Sequence, residues 1–178
     1  MREPLDRAKL DRFVDALGRA ATGPGRVYLT GGATAIAYGW RARTVDIDLR
    51  LDPEPAGAFE AIAILKDVLD VNVELASPLD FLPEVPGWRE RSVFLTQAGP
   101  VAFFHFDPVS QVLAKLARGY ERDGVDAEAL VAHGLATRHE VALAFERILP
   151  ALSRFPRLDE ATLTARVAAF ASARPESP

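Results

Sequence analysis

Two aspartates, Asp46 and Asp48, stand two residues apart in the run Thr44-Val45-Asp46-Ile47-Asp48-Leu49-Arg50-Leu51. The run alternates polar and apolar residues, which predicts a strand. A strand has a side-chain period of two, so both carboxylates face one way while Ile47 and Leu49 bury on the other side. Neighbouring carboxylates repel each other, and a cation between them relieves that cost. Ligands made of oxygen alone select a hard ion, which makes Mg²⁺ the natural candidate. The plainer reading is an edge strand with two solvated acids. The apolar neighbours argue for a half-buried strand instead.

A second feature precedes this strand. Arg26 to Thr30 reads as a short strand, cut off by Gly31-Gly32, and the small apolar residues Ala33 to Tyr38 read as a short helix that Gly39 stops. A glycine turn at that junction lets the backbone come close to a phosphate, and the start of the helix offers N–H groups to an anion. Alone, the turn is only a turn. Glu74 is a further acid to consider, on the polar face of the alternating stretch Val71-Asn72-Val73-Glu74-Leu75, with Asp70, which shares that parity, as the reserve. Three acids converging on one place would hold two metal ions for phosphoryl chemistry.

Taken together, Tyr28-Leu29-Thr30-Gly31-Gly32, a spacer of thirteen residues, and Asp46-Ile47-Asp48-Leu49 resemble the signature of the nucleotidyltransferase superfamily. The spacer sits at the long end of that pattern. The resemblance implies that Thr30, Gly31 and Gly32 cradle a nucleoside triphosphate, and that Asp46, Asp48 and Glu74 hold Mg²⁺ and carry catalysis. Arg43 and Thr44, at the start of the strand, are candidate phosphate contacts, and Arg41 lies nearby.

The helical half adds basic and acidic residues. Gln111, Lys115, Arg118 and Arg122 are spaced four, three and four apart, so they share one helix face. Lys115 lies among Leu113, Ala114, Leu116 and Ala117, where an ammonium must snorkel outward or meet an anion. The stretch from Asp107-Pro108 through Lys115, Arg118-Gly119, Asp123 and Asp126 resembles a bacterial nucleotidyltransferase-fold family of uncharacterised proteins, related to the toxins of type IV toxin–antitoxin systems. The run Val71 to Pro83 and Pro86-Gly87-Trp88 share this resemblance, which spans roughly residues 26–135. It implies that Lys115 contacts nucleotide phosphates as part of the catalytic set. It also implies that Asp123 supports the nucleotide site, with Asp126 a weaker candidate.

The surrounding helices and strands follow from periodicity. Helices are expected over 4–20 and 56–69, the latter with Phe59, Ile62, Leu65, Val68 and Leu69 as its core face. A Pro-rich, exposed loop is expected over 77–88, and a hairpin over 93–97 and 101–106. Further helices are expected near 108–120, 124–133, 138–149 and 159–173. Thr137 and Glu140 form a capping box, Asp159 is a candidate cap, and Arg174 to Pro178 is expected to fray. The fold class is therefore α/β (α+β): a nucleotidyltransferase-type mixed sheet flanked by helices over 1–106, then a C-terminal helical bundle over 107–178.

The 178 residues are 49% hydrophobic and 26% charged, enough apolar material for a core. A net charge of −4 argues against a global field for nucleic acid. The chain has no cysteine, so disulfides and thiolate metal sites are excluded. No run approaches the eighteen apolar residues of a membrane span. The polar start Met1 to Asp6 is unlike a secretion signal, so a cytoplasmic protein is expected. His105, His133 and His139 lack metal-ligand spacing; His105, between Phe104 and Phe106, is read as structural, and Trp40 and Trp88 as core-filling more than base-stacking. Serine-hydrolase and phosphate-loop motifs are missing. The resulting expectation is a Mg²⁺-dependent enzyme that moves an NMP from an NTP to a hydroxyl of tRNA or of a protein, with a cognate toxin or antitoxin as partner. The competing class is a non-catalytic nucleotide-binding or partner-binding protein on the same fold.

Overall fold

The computed structural model describes residues 3–173, so the tail Arg174 to Pro178 lies outside the described residues. The fold is mixed α/β, with one five-stranded mixed sheet and, among the described residues, eight α-helices. Two compact units divide it: residues 1–77 with 92–106, and residues 78–91 with 107–178.

In the first unit, α1 (Arg7–Ala20) is followed by β1 (Gly25–Thr30), α2 (Gly32–Tyr38), β2 (Asp46–Leu51), α3 (Ala58–Val68), β3 (Asn72–Leu75), β4 (Val93–Ala98) and β5 (Val101–His105). The sheet order is β3-β2-β1-β5-β4, with β1 antiparallel to β2 and parallel to β5, β2 parallel to β3, and β4 antiparallel to β5. The alternation seen in sequence is kept. Val27, Leu29, Ile47, Leu49, Val73 and Phe103 enter one core with Leu10, Phe13, Leu17, Ile62 and Leu65 from α1 and α3. The opposite face carries Thr30, Asp46, Asp48 and Glu74.

Several boundaries move for local reasons. The first helix starts at Arg7 rather than residue 4, because the Asp6 side chain accepts from the Lys9 N–H as its cap. Leu5 instead forms a two-bond bridge with Thr44, which also keeps Thr44 out of β2. On α3 the buried face is Ala58, Ala61, Ile62 and Leu65, whereas Phe59 and Val68 are exposed. Leu75, expected inside with Val71 and Val73, is also exposed.

The second unit contains α4 (Trp88–Arg91), α5 (Pro108–Arg118), α6 (Glu121–Ala132), α7 (Arg138–Ile148) and α8 (Glu160–Ser172), with short 3₁₀ turns at Pro78–Asp80 and Leu149–Arg154. The caps at Thr137/Glu140 and Asp159 form as expected. The segment 77–88 is exposed only in part, at Asp80, Phe81, Glu84, Pro86 and Gly87. Leu82, Val85 and Trp88 are fully buried, so its prolines shape a packed connection. Arg91 holds it in place with a two-point contact to Asp107, the cap of α5, at 3.0 and 2.7 Å. No described helix is long and apolar enough to cross a membrane.

Candidate active site

The glycine turn and the aspartate pair meet because β1 and β2 are antiparallel neighbours. Thr30 lies opposite Asp48 in the register, so the turn that follows Thr30 emerges beside the start of β2. Gly31 has φ +60°, a conformation L side chains rarely adopt. A Cβ there would lie 3.0 Å from Asp48 Oδ2. Gly32 is equally constrained: a Cβ on it would collide with the side chain of Thr44. The Thr44 backbone is fixed in turn by its two bonds to Leu5, at 2.8 and 3.0 Å.

Asp46 and Asp48 are both half-buried, while Ile47 and Leu49 between and beyond them are fully buried. Their α-carbons are therefore about 7 Å apart along one strand face. The parallel strand β3 sets Asn72 beside Asp46 and Glu74 beside Asp48. Asn72 Nδ2 donates to Asp46 Oδ1 at 2.5 Å. Glu74 is exposed. Among the described residues, no three His, Cys, Asp or Glu side chains are grouped closely enough to hold a metal ion. Asp70 falls outside β3, with φ +50°; its carboxylate accepts from the Glu3 N–H and its carbonyl from Lys9 Nζ.

Behind α2 lies His105, 3% exposed, with Nδ1 3.2 Å from the Thr34 hydroxyl. Tyr38 packs on the His105 ring at 5.1 Å and stacks on Trp40 at 5.9 Å. Burial first, and then the nearby Arg7 charge, together lower the His105 pKa to about 4. The imidazole is thus neutral at physiological pH. Thr30 is buried, whereas Arg43 is exposed at the loop before β2.

Lys115 and Asp123 belong to the helical unit and form a buried ionic cluster. Lys115 Nζ is 2.7 Å from Asp126 Oδ2 and 3.8 Å from Asp123 Oδ1. Arg118 contacts both oxygens of Asp123, at 2.5 and 3.2 Å. All three of Lys115, Asp123 and Asp126 are buried. The anion that Lys115 meets is therefore Asp126, one helix away, and the face shared with Gln111 points inward at its first two positions. Arg122, also expected on that face, is exposed.

Asn72 and Arg91 lie outside the set that the sequence motifs single out. The polar parity that singles out Glu74 applies equally to Asn72, and that was the available signal. Arg91 and Asp107 are sixteen residues apart with no motif linking them.

No family model, curated protein or solved structure matches this chain.

Proposed function

We propose that the chain is a Mg²⁺-dependent nucleotidyltransferase, with a nucleotidyltransferase-type sheet unit followed by a helical bundle. The observation that carries this reading is the closeness of the glycine turn to the carboxylates: a Cβ on Gly31 would stand 3.0 Å from Asp48 Oδ2. A side chain there would press on the acid; glycine lets the backbone of the turn approach it closely. The two half-buried carboxylates on one strand face fit a hard cation by donor chemistry. Asp46 and Asp48 would hold it, and Glu74 flanks them as the third acid. Mg²⁺ keeps waters and takes substrate phosphate oxygens as further ligands, so a protein cage of three acids is not required. When bound, it would neutralise charge on the triphosphate.

The acceptor's hydroxyl oxygen attacks the α-phosphorus. A new P–O bond forms, the α–β anhydride bond breaks, and pyrophosphate leaves. The hydroxyl proton passes to a carboxylate of the site or to water. Thr30, Gly31, Gly32, Arg43 and Thr44 are assigned to the nucleotide. Within the helical unit, Lys115 is held by the buried carboxylates of Asp126 and Asp123. The acceptor is the hydroxyl of an RNA such as tRNA, or of a protein, as in toxin–antitoxin nucleotidyltransferases, and a cognate partner follows from that reading.

The test is to incubate the protein with Mg²⁺, each labelled NTP in turn, and either total tRNA or cell lysate. Label on RNA or protein, lost in Asp46→Ala and Asp48→Ala, supports the enzyme. Nucleotide binding without any label transfer would sink it in favour of a binding protein on the same fold.

A further inference from the structure

Asn72 occupies a position that deepens the cation reading proposed for Asp46 and Asp48, and rests on it. Parallel pairing of β2 and β3 puts an amide beside the first aspartate and an acid beside the second. The amide nitrogen donates to Asp46 Oδ1 at 2.5 Å. An acid at this position would press a second negative charge against Asp46. An aliphatic residue would leave the carboxylate free to rotate. The amide instead occupies one oxygen, fixes the carboxylate plane, and leaves the lone pairs of Oδ2 for a ligand.

The strand that carries Asn72 is itself anchored. Val73 is buried in the core, and its carbonyl accepts from Lys66 Nζ at 3.2 Å. Lys9 Nζ holds the Asp70 carbonyl just before the strand, at 2.9 Å. The backbone that carries Asn72 is thus held on both sides. Groups that orient a metal-binding side chain commonly change metal affinity about 10- to 100-fold when removed.

We infer that Asn72 is a positioning residue for this cation site, acting through the carboxylate of Asp46. Cation affinity, and not only the fold, depends on its amide.

Mn²⁺ titrated into the full chain by calorimetry provides the probe, with stability in EDTA measured by urea unfolding. Asn72→Leu matches the shape of asparagine and removes the donor; Asn72→Ala covers the case in which leucine disturbs folding. The expected result is roughly 10- to 100-fold weaker Mn²⁺ binding in whichever variant folds. In an Asp46→Ala background the same change should have no further effect. Wild-type Mn²⁺ affinity in Asn72→Leu or Asn72→Ala, with loss in Asp46→Ala, overturns the role of Asn72 alone. Wild-type affinity in Asp46→Ala and Asp48→Ala, or no binding by the parent protein, overturns the cation reading and this inference with it.

Discussion

Gly32 and Thr44 are packed so closely that glycine is the residue that fits: a Cβ on Gly32 would overlap the Thr44 hydroxyl and Cβ. Thr44 cannot easily retreat, because its backbone is bonded on both sides to Leu5. Gly32→Ala should therefore lower stability by about 1–3 kcal/mol, the usual cost of overpacking. Urea unfolding of Gly32→Ala, Thr44→Gly and the double variant checks this. A favourable coupling in the double variant is expected; simple additivity would mean that the two residues do not constrain each other.

Glu74 tests a different aspect of the site. Its side chain is exposed on β3, directly beside Asp48 in the register. Glu74→Gln should leave the unfolding midpoint almost unchanged, because surface changes of this kind stay within about 0.5 kcal/mol. As the third acid, it should still be needed for transfer, with kcat reduced at least about tenfold, or about 1.4 kcal/mol of barrier. A variant with unaltered kcat would remove Glu74 from the catalytic set and leave Asp46 and Asp48 as its acids.

The sheet is legible in the sequence where alternation is strict. Asp46 to Leu51 declares its own faces, and the Gly31-Gly32 break locates the end of β1. Helix orientation is less legible. Phe59 and Val68 look like core residues by hydrophobicity, yet the small residues Ala58 and Ala61 allow α3 to pack closely through a different stripe. Partnerships across distance are not legible at all. The bond from Asn72 to Asp46 spans 26 residues, and only the parallel register of β2 and β3 brings the two together. Pro78 to Trp88 looks like a surface loop because of its prolines and glycine, but Leu82, Val85 and Trp88 bury and anchor it between exposed residues.

The ionic cluster of α5 and α6 should be strongly coupled. Removing Lys115 leaves Asp126 buried without its ammonium and Asp123 with Arg118 as its remaining cation partner in the cluster. Lys115→Met alone should destabilise the protein by about 3–5 kcal/mol, as for other broken buried pairs. Lys115→Met combined with Asp126→Leu should recover much of that loss, because both desolvated charges are then gone. Thermal and urea unfolding of the two variants measures the recovery. If the single change costs under about 1 kcal/mol, the pair is solvated and free to serve elsewhere.

His105 gives the fold an acid-side dependence whose sign can be worked out. Its folded pKa, about 4, lies below the ordinary value of 6.5 because burial against Thr34 and Tyr38 disfavours the charged ring. Between those two values the unfolded chain binds a proton that the folded chain does not. Stability from this residue is therefore complete above about pH 6.5. It falls as pH drops toward 4, and the full loss is about 3 kcal/mol. His105→Gln keeps a polar partner for Thr34 and removes the titration. Urea unfolding from pH 7 to pH 4 should show a shallower decline for that variant than for the parent protein. Parallel declines would mean that the imidazole is protonated in place and that its pocket admits the charge.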